Sequence, residues 1–100
     1  MACAVPCIVP RASALAEWPK DGVAYMDLLQ GYPNVNPGGV NTVMDTPKIE
    51  SFIDQMDHIY TDEAYRKELG VKGYKVATKS KFNWKNIADQ FHAVFEKVTA

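Results

Sequence analysis

The sequence predicts an α/β fold in which two short parallel strands precede three helices. Three observations predict it. Residues 6–10 read Pro-Cys-Ile-Val-Pro, a continuous apolar run between prolines, and continuous apolarity marks a strand covered on both faces, as in a parallel sheet. Residues 22–27 follow an Asp21-Gly22 turn and supply Val23, Tyr25 and Met26 to a second strand. Beyond residue 46 the apolar residues fall at helical spacing in three stretches. The chain divides into a strand-loop-strand unit over 1–27, a long loop over 28–46 and helices over 47–100.

Each element has its own signals. Pro33, Pro37, Gly38 and Gly39 give 28–46 its loop character, at a length that suggests a decorated or functional loop. Thr46 is a good N-cap and Pro47 suits a first helical position, ahead of the stripe Ile49, Phe52, Ile53, Met56 and Ile59. Thr61, Asp62 and Glu63 open a second helix with acids at the positive end of its dipole. Gly70 and Gly73 are expected to weaken or end it. Asn83 caps a third helix, with Trp84, Ile87, Ala88, Phe91, Phe95 and Val98 on one face, a pattern whose commoner use is core packing.

Two strands cannot make a parallel sheet that buries both its faces, because each strand needs a sheet neighbour and helical cover. The pattern is therefore that of part of a larger domain.

Composition narrows the function. A net charge of -1 at 47% apolar content argues against a nucleic-acid binder and allows a packed core. Charge is uneven: over residues 66–85, seven cations face one acid, Glu68. Lys72, Lys75 and Lys79 recur at helical spacing and read as a solvated helix surface, with membrane contact at most peripheral. The first nine residues lack the positive start of a signal peptide. Cys3 and Cys7 make no disulfide framework or zinc site and read as small buried hydrophobes in a reducing, cytoplasmic setting.

Chemistry-bearing motifs are sparse. No phosphate-cradling glycine loop, His-Glu-x-x-His or nucleophile elbow is present, and His58 and His92 read as surface helical residues. In open α/β sheets ligands meet the loops after the strands, which singles out Arg11, Ser13 and Glu17. Arg11 suits a phosphate. Glu17 suits sugar or ribose hydroxyls, or alternatively accepts the backbone amides of its own loop.

Two stretches taken together resemble a known family. MACAVPCIVPRASALAEWPKDGVAY (residues 1–25) is similar to the family 4 glycosyltransferase pattern in which a helix ending Met-Ala-Cys-Gly leads to Pro-Val-Ile. In that pattern a Gly-Gly-x-x-Glu loop and an Asp-Gly then precede a short strand. KFNWKNIADQFHAVFEKV (81–98) resembles the closing segment of that family, an aromatic-x-Trp followed by a long amphipathic helix. DTPKIESFIDQMDHIYTDEAYRKEL (45–69) looks like the helix pair between them. Ala4 stands where the family has glycine, Ser13 and Ala14 stand at its glycine pair, and Glu17 matches its glutamate.

The resemblance implies the second half of a Rossmann-like nucleotide-sugar-binding domain of a two-domain GT-B enzyme. Such an enzyme transfers a sugar, with retention, from a nucleoside-diphosphate sugar to a glycan or lipid acceptor, without a metal or other cofactor. It implies donor contacts at Arg11, Ser13, Ala14 and Glu17. The family's signature glutamates, seven residues apart, would fall upstream of Met1, with the acceptor-side domain in an N-terminal part of the same enzyme. The alternatives are a non-catalytic interaction or regulatory module derived from such a domain, and a related sugar-nucleotide epimerase.

Overall fold

A computed structural model describes residues 1–29, 34–35, 43–44 and 46–100. It is a mixed α/β structure. Strand β1 (Ile8–Pro10) runs parallel to β2 (Ala24–Met26), with Ile8 opposite Ala24 and Pro10 opposite Met26. Between them lie 3-10 turns at Ser13–Ala16 and Lys20–Gly22. Two-residue strands β3 (Asn34–Val35) and β4 (Val43–Met44) pair antiparallel, which departs from the loop-like reading of 28–46; the rest of 30–45 lies outside the described residues. Helices α1 (Ile49–Thr61), α2 (Glu63–Ala77) and α3 (Trp84–Thr99) follow.

The helix starts differ from the sequence reading in two places, each for a local reason. The first helix begins at Ile49, and Pro47 lies in an antiparallel bridge with Leu28. Leu29 N–H donates to the Thr46 carbonyl and Lys48 N–H to the Asp27 carbonyl, both at 2.8 Å, so residues 46–48 stay extended and the helix starts later. The second helix is capped by Asp62, whose Oδ1 accepts the Tyr65 amide at 2.9 Å. Thr61 instead closes α1, its hydroxyl donating back to the Asp57 carbonyl. Asn83 caps α3 as expected, accepting the Lys85 amide at 2.9 Å.

Gly70 and Gly73 neither end nor interrupt α2, which runs through both to Ala77. They let the helix sit directly on backbone. A Cβ at Gly70 would overlap the Ala4 carbonyl oxygen, and one at Gly73 would lie 2.8 Å from the Gly22 oxygen. The helix loses some intrinsic propensity at each glycine and gains close packing that any side chain would block. The core forms along this seam: Val23, Ala24, Leu69 and Val76 are buried, with Pro19 wholly enclosed.

Other parts are more open than the pattern suggests. β1 is half-buried rather than covered on both faces, since α1 reaches it without closing over it. Cys3 is exposed and Cys7 half-buried, both as free thiols rather than buried hydrophobes, because α2 meets this turn at the Ala4 backbone and leaves the neighbouring side chains open. The aromatic face of α3 is not core. No residue of α3 is buried, and its packing is against the Ser80–Phe82 turn at its base. That turn is held by Phe82, whose ring meets Trp18 edge-on at 5.5 Å. The radius of gyration is 17.7 Å, against about 13 Å for a compact chain of this length.

Candidate functional site

Parallel strands end on the same side, so the loops leaving β1 and β2 share one edge of the sheet. At that edge a cleft of about 600 Å³ is lined by Arg11, Asp27, Leu28, Leu29 and Lys48. Arg11 is held there twice. Its amide donates to the Met26 carbonyl at 3.2 Å, extending the strand pairing by one residue. Its guanidinium lies 4.1 Å over the Tyr25 ring. The ring attracts the cation without using any of its N–H donors, which stay available to a carboxylate or phosphate. Among the described residues no carboxylate pairs with it.

Tyr25 also fixes the loop above. Its hydroxyl donates to the Leu15 carbonyl at 2.6 Å, tying the Ser13–Ala16 turn to β2. Lys48 reaches the cleft because residues 46–48 pair with 27–29, and the Asp27 amide donates to Ser51 Oγ at 2.8 Å within the first turn of α1. Among the described residues, two cations, one carboxylate and two leucines make a cleft suited to an anion carrying an apolar or ring-shaped portion.

Of the residues singled out by sequence, Arg11 lines the cleft. Ser13 and Ala14 sit in the 3-10 turn above it, and Glu17 follows as the exposed residue ending that turn. The Glu17 carboxylate accepts no hydrogen bond from the described residues, while its amide donates to the Ala14 carbonyl at 3.1 Å. Asp27 and Lys48 were not foreseen. Lys48 had a weak signal, as a cation beside a helix start, but the pairing that brings it to the cleft joins residues some twenty positions apart.

The backbone carries a second signature. Three described non-glycine residues have left-handed φ: Ala4 at 56°, Ser13 at 51° and Lys20 at 46°. Such a conformation costs an L-residue roughly 1–2 kcal/mol. Ala4 and Ser13 are positions where the resemblance places glycine.

Among the described residues no three His, Cys, Asp or Glu side chains gather as a metal site. His58 stacks on Tyr65 at 3.9 Å and faces Asp62, and His92 faces Glu96, all on exposed helix surface. No described helix is long and apolar enough to cross a membrane. No known protein family matches the chain, and neither a characterised protein nor a solved structure is detectably similar to it.

Proposed function

We propose that the chain is the carboxy-terminal part of the donor-binding domain of a retaining, nucleotide-sugar-dependent glycosyltransferase of GT-B architecture. The observation that carries this reading is the left-handed backbone at Ala4 and Ser13. Glycine adopts left-handed φ without steric cost, so left-handed backbone at these two positions fits the glycines that the resemblance places there. The parallel order of β1 and β2, the Asp21-Gly22 turn between them and the cleft at their carboxyl edge support it further. In this reading Arg11 and Lys48 neutralise the donor diphosphate, and Glu17 meets donor hydroxyls from the loop above. Ser13 and Ala14 offer backbone contacts with less room than a glycine pair would leave.

The hundred residues bind part of the donor and do not themselves catalyse. The sugar-transferring carboxylates and the acceptor side belong to the preceding portion of a cytoplasmic enzyme. Acceptor chemistry is a glycan or lipid hydroxyl, and no resident metal is required because cationic side chains offset the leaving diphosphate.

The coding sequence upstream of Met1 tests this directly. Two glutamates seven residues apart, just before the Met-Ala-Cys stretch, are expected, and a frame without them sinks the reading. In the intact enzyme Glu17→Gln should raise the donor KM several-fold with little change in melting temperature. An unchanged KM with a lowered melting temperature assigns Glu17 to the loop alone.

A further inference from the structure

The molecule leaves two helix faces open, and they match. On α3, Trp84 is 83% exposed, and Phe91, Val94, Phe95 and Val98 are each more than half exposed. On α1, Ile49 is 70% and Tyr60 82% exposed, with Ile53 and Met56 about half exposed between them. Both exposed stripes alternate steps of three and four residues: 84, 87, 91, 94, 98 on α3, with Ile87 half-buried, and 49, 53, 56, 60 on α1. That spacing is a seam for packing against another helix. The helices are of similar length, about 24 and 20 Å at 1.5 Å per residue. Within one chain α3 packs chiefly on the Ser80–Phe82 turn from which it leaves the body, and not along α1.

We propose that a second copy of this chain covers both faces, by a reciprocal exchange in which α3 of each copy lies along α1 of the other. Area favours exchange over the simpler pairing of α3 with α3. The exposed aromatic and aliphatic side chains of α3 offer on the order of 600 Å², so self-pairing buries about 1,200 Å², the lower limit for a specific interface. Exchange uses α1 as well and buries about 2,000 Å².

Charge points the same way. Helix α1 carries Glu50, Asp54 and Asp57 with no lysine or arginine. The segment leading into α3 carries Lys75, Lys79 and Lys81, which make no ion pair among the described residues, whereas Lys72 is held by Glu68 and Lys85 by Asp89. Bringing the base of α3 to α1 of a partner joins the two. An anionic lipid surface fits less well, since Lys85 and Lys97 on α3 are balanced by Asp89 and Glu96. The proposal concerns the hundred-residue chain and does not depend on the donor-domain reading, because self-association and the upstream glutamates are independent observables.

Sedimentation equilibrium of the purified chain across a hundredfold range of concentration provides the test. The mass should rise towards twice the 11.2 kDa of one chain. Phe91→Glu on α3 and Met56→Glu on α1 should each weaken association at least tenfold while leaving helical circular dichroism unchanged. Should Met56→Glu lose helicity, Ile53→Asn takes its place. Mixing the two variants should restore part of the association, since one exchanged contact remains intact in the mixed pair. A monomer at every concentration overturns the proposal. So does a dimer that tolerates the α1 variants, which would mean α3 pairs with itself, or a monomer that instead co-sediments with phosphatidylserine vesicles.

Discussion

Helices α2 and α3 are nearly equal in length, fifteen and sixteen residues, and opposite in behaviour. α3 has the sharper apolar stripe and buries nothing. α2 has a poorly segregated sequence, eight of its fifteen residues being charged or glycine, and it carries half the core. The difference lies in what touches backbone. At Gly70 and Gly73 the helix meets the Ala4 and Gly22 carbonyl oxygens without intervening side chains, so a short contact line excludes water along its length. An amphipathic stripe states only that a face wants cover. A glycine notch shows that cover has arrived.

Substitutions can break or sharpen this contrast. Gly70→Ala should have the largest effect, about 3 kcal/mol of destabilisation, because its Cβ meets a carbonyl oxygen rather than a flexible side chain. A thermal melt would show it as a drop of ten degrees or more, roughly, for a domain of this size. Leu69→Ala follows at about 2–3 kcal/mol for a buried leucine, whereas Val98→Ala should stay within about 0.5 kcal/mol in dilute solution, where α3 is uncovered. Equal losses at the two sites would show that α3 is packed in the single chain after all.

Smaller changes refine the body. Ala4→Gly should raise stability by about 1 kcal/mol by relieving a left-handed alanine, read as a higher urea midpoint at unchanged slope. Asp62→Ala should remove about 1 kcal/mol with the α2 cap. The slightest effect concerns Lys72, whose ammonium is held above the usual lysine range by its hydrogen bond to Glu68 and then by the charge of Glu68. A raised lysine pKa contributes below the unfolded value, near 10.5, and the contribution is lost as pH rises through the folded value. The melting difference between the parent and Lys72→Met should therefore be small, constant from pH 6 to 9, and absent well above that range.

Much of the framework was legible because its signals are local. The prolines around residues 6–10, the Asp21-Gly22 turn and the Asn83 cap each act within a few residues, and both strands and α3 fall where those signals put them. What escaped depends on distant partners. Thr46 and Pro47 look like a helix start until the pairing of 46–48 with 27–29 is known. Gly70 and Gly73 look like breakers until Ala4 and Gly22 are seen beneath them. At the candidate site Arg11 could be named from its place after a strand, while Asp27 and Lys48 could not, since no spacing in the sequence links them to it.

The seating of Gly70 on Ala4 also bears on the order in which the chain acquires its structure. That contact joins residues more than sixty positions apart, and the parallel pairing of β1 with β2 closes only a short loop beside it. Loop closure slows such distant encounters, whereas each helix can form from its neighbours within microseconds. The helical hairpin of α1 and α2 should thus be present before residues 1–5 arrive, and docking of that opening segment should be a late event, completed after the folding barrier has been crossed. Gly70→Ala would then speed unfolding far more than it slows folding, a signature readable from the two arms of a chevron plot.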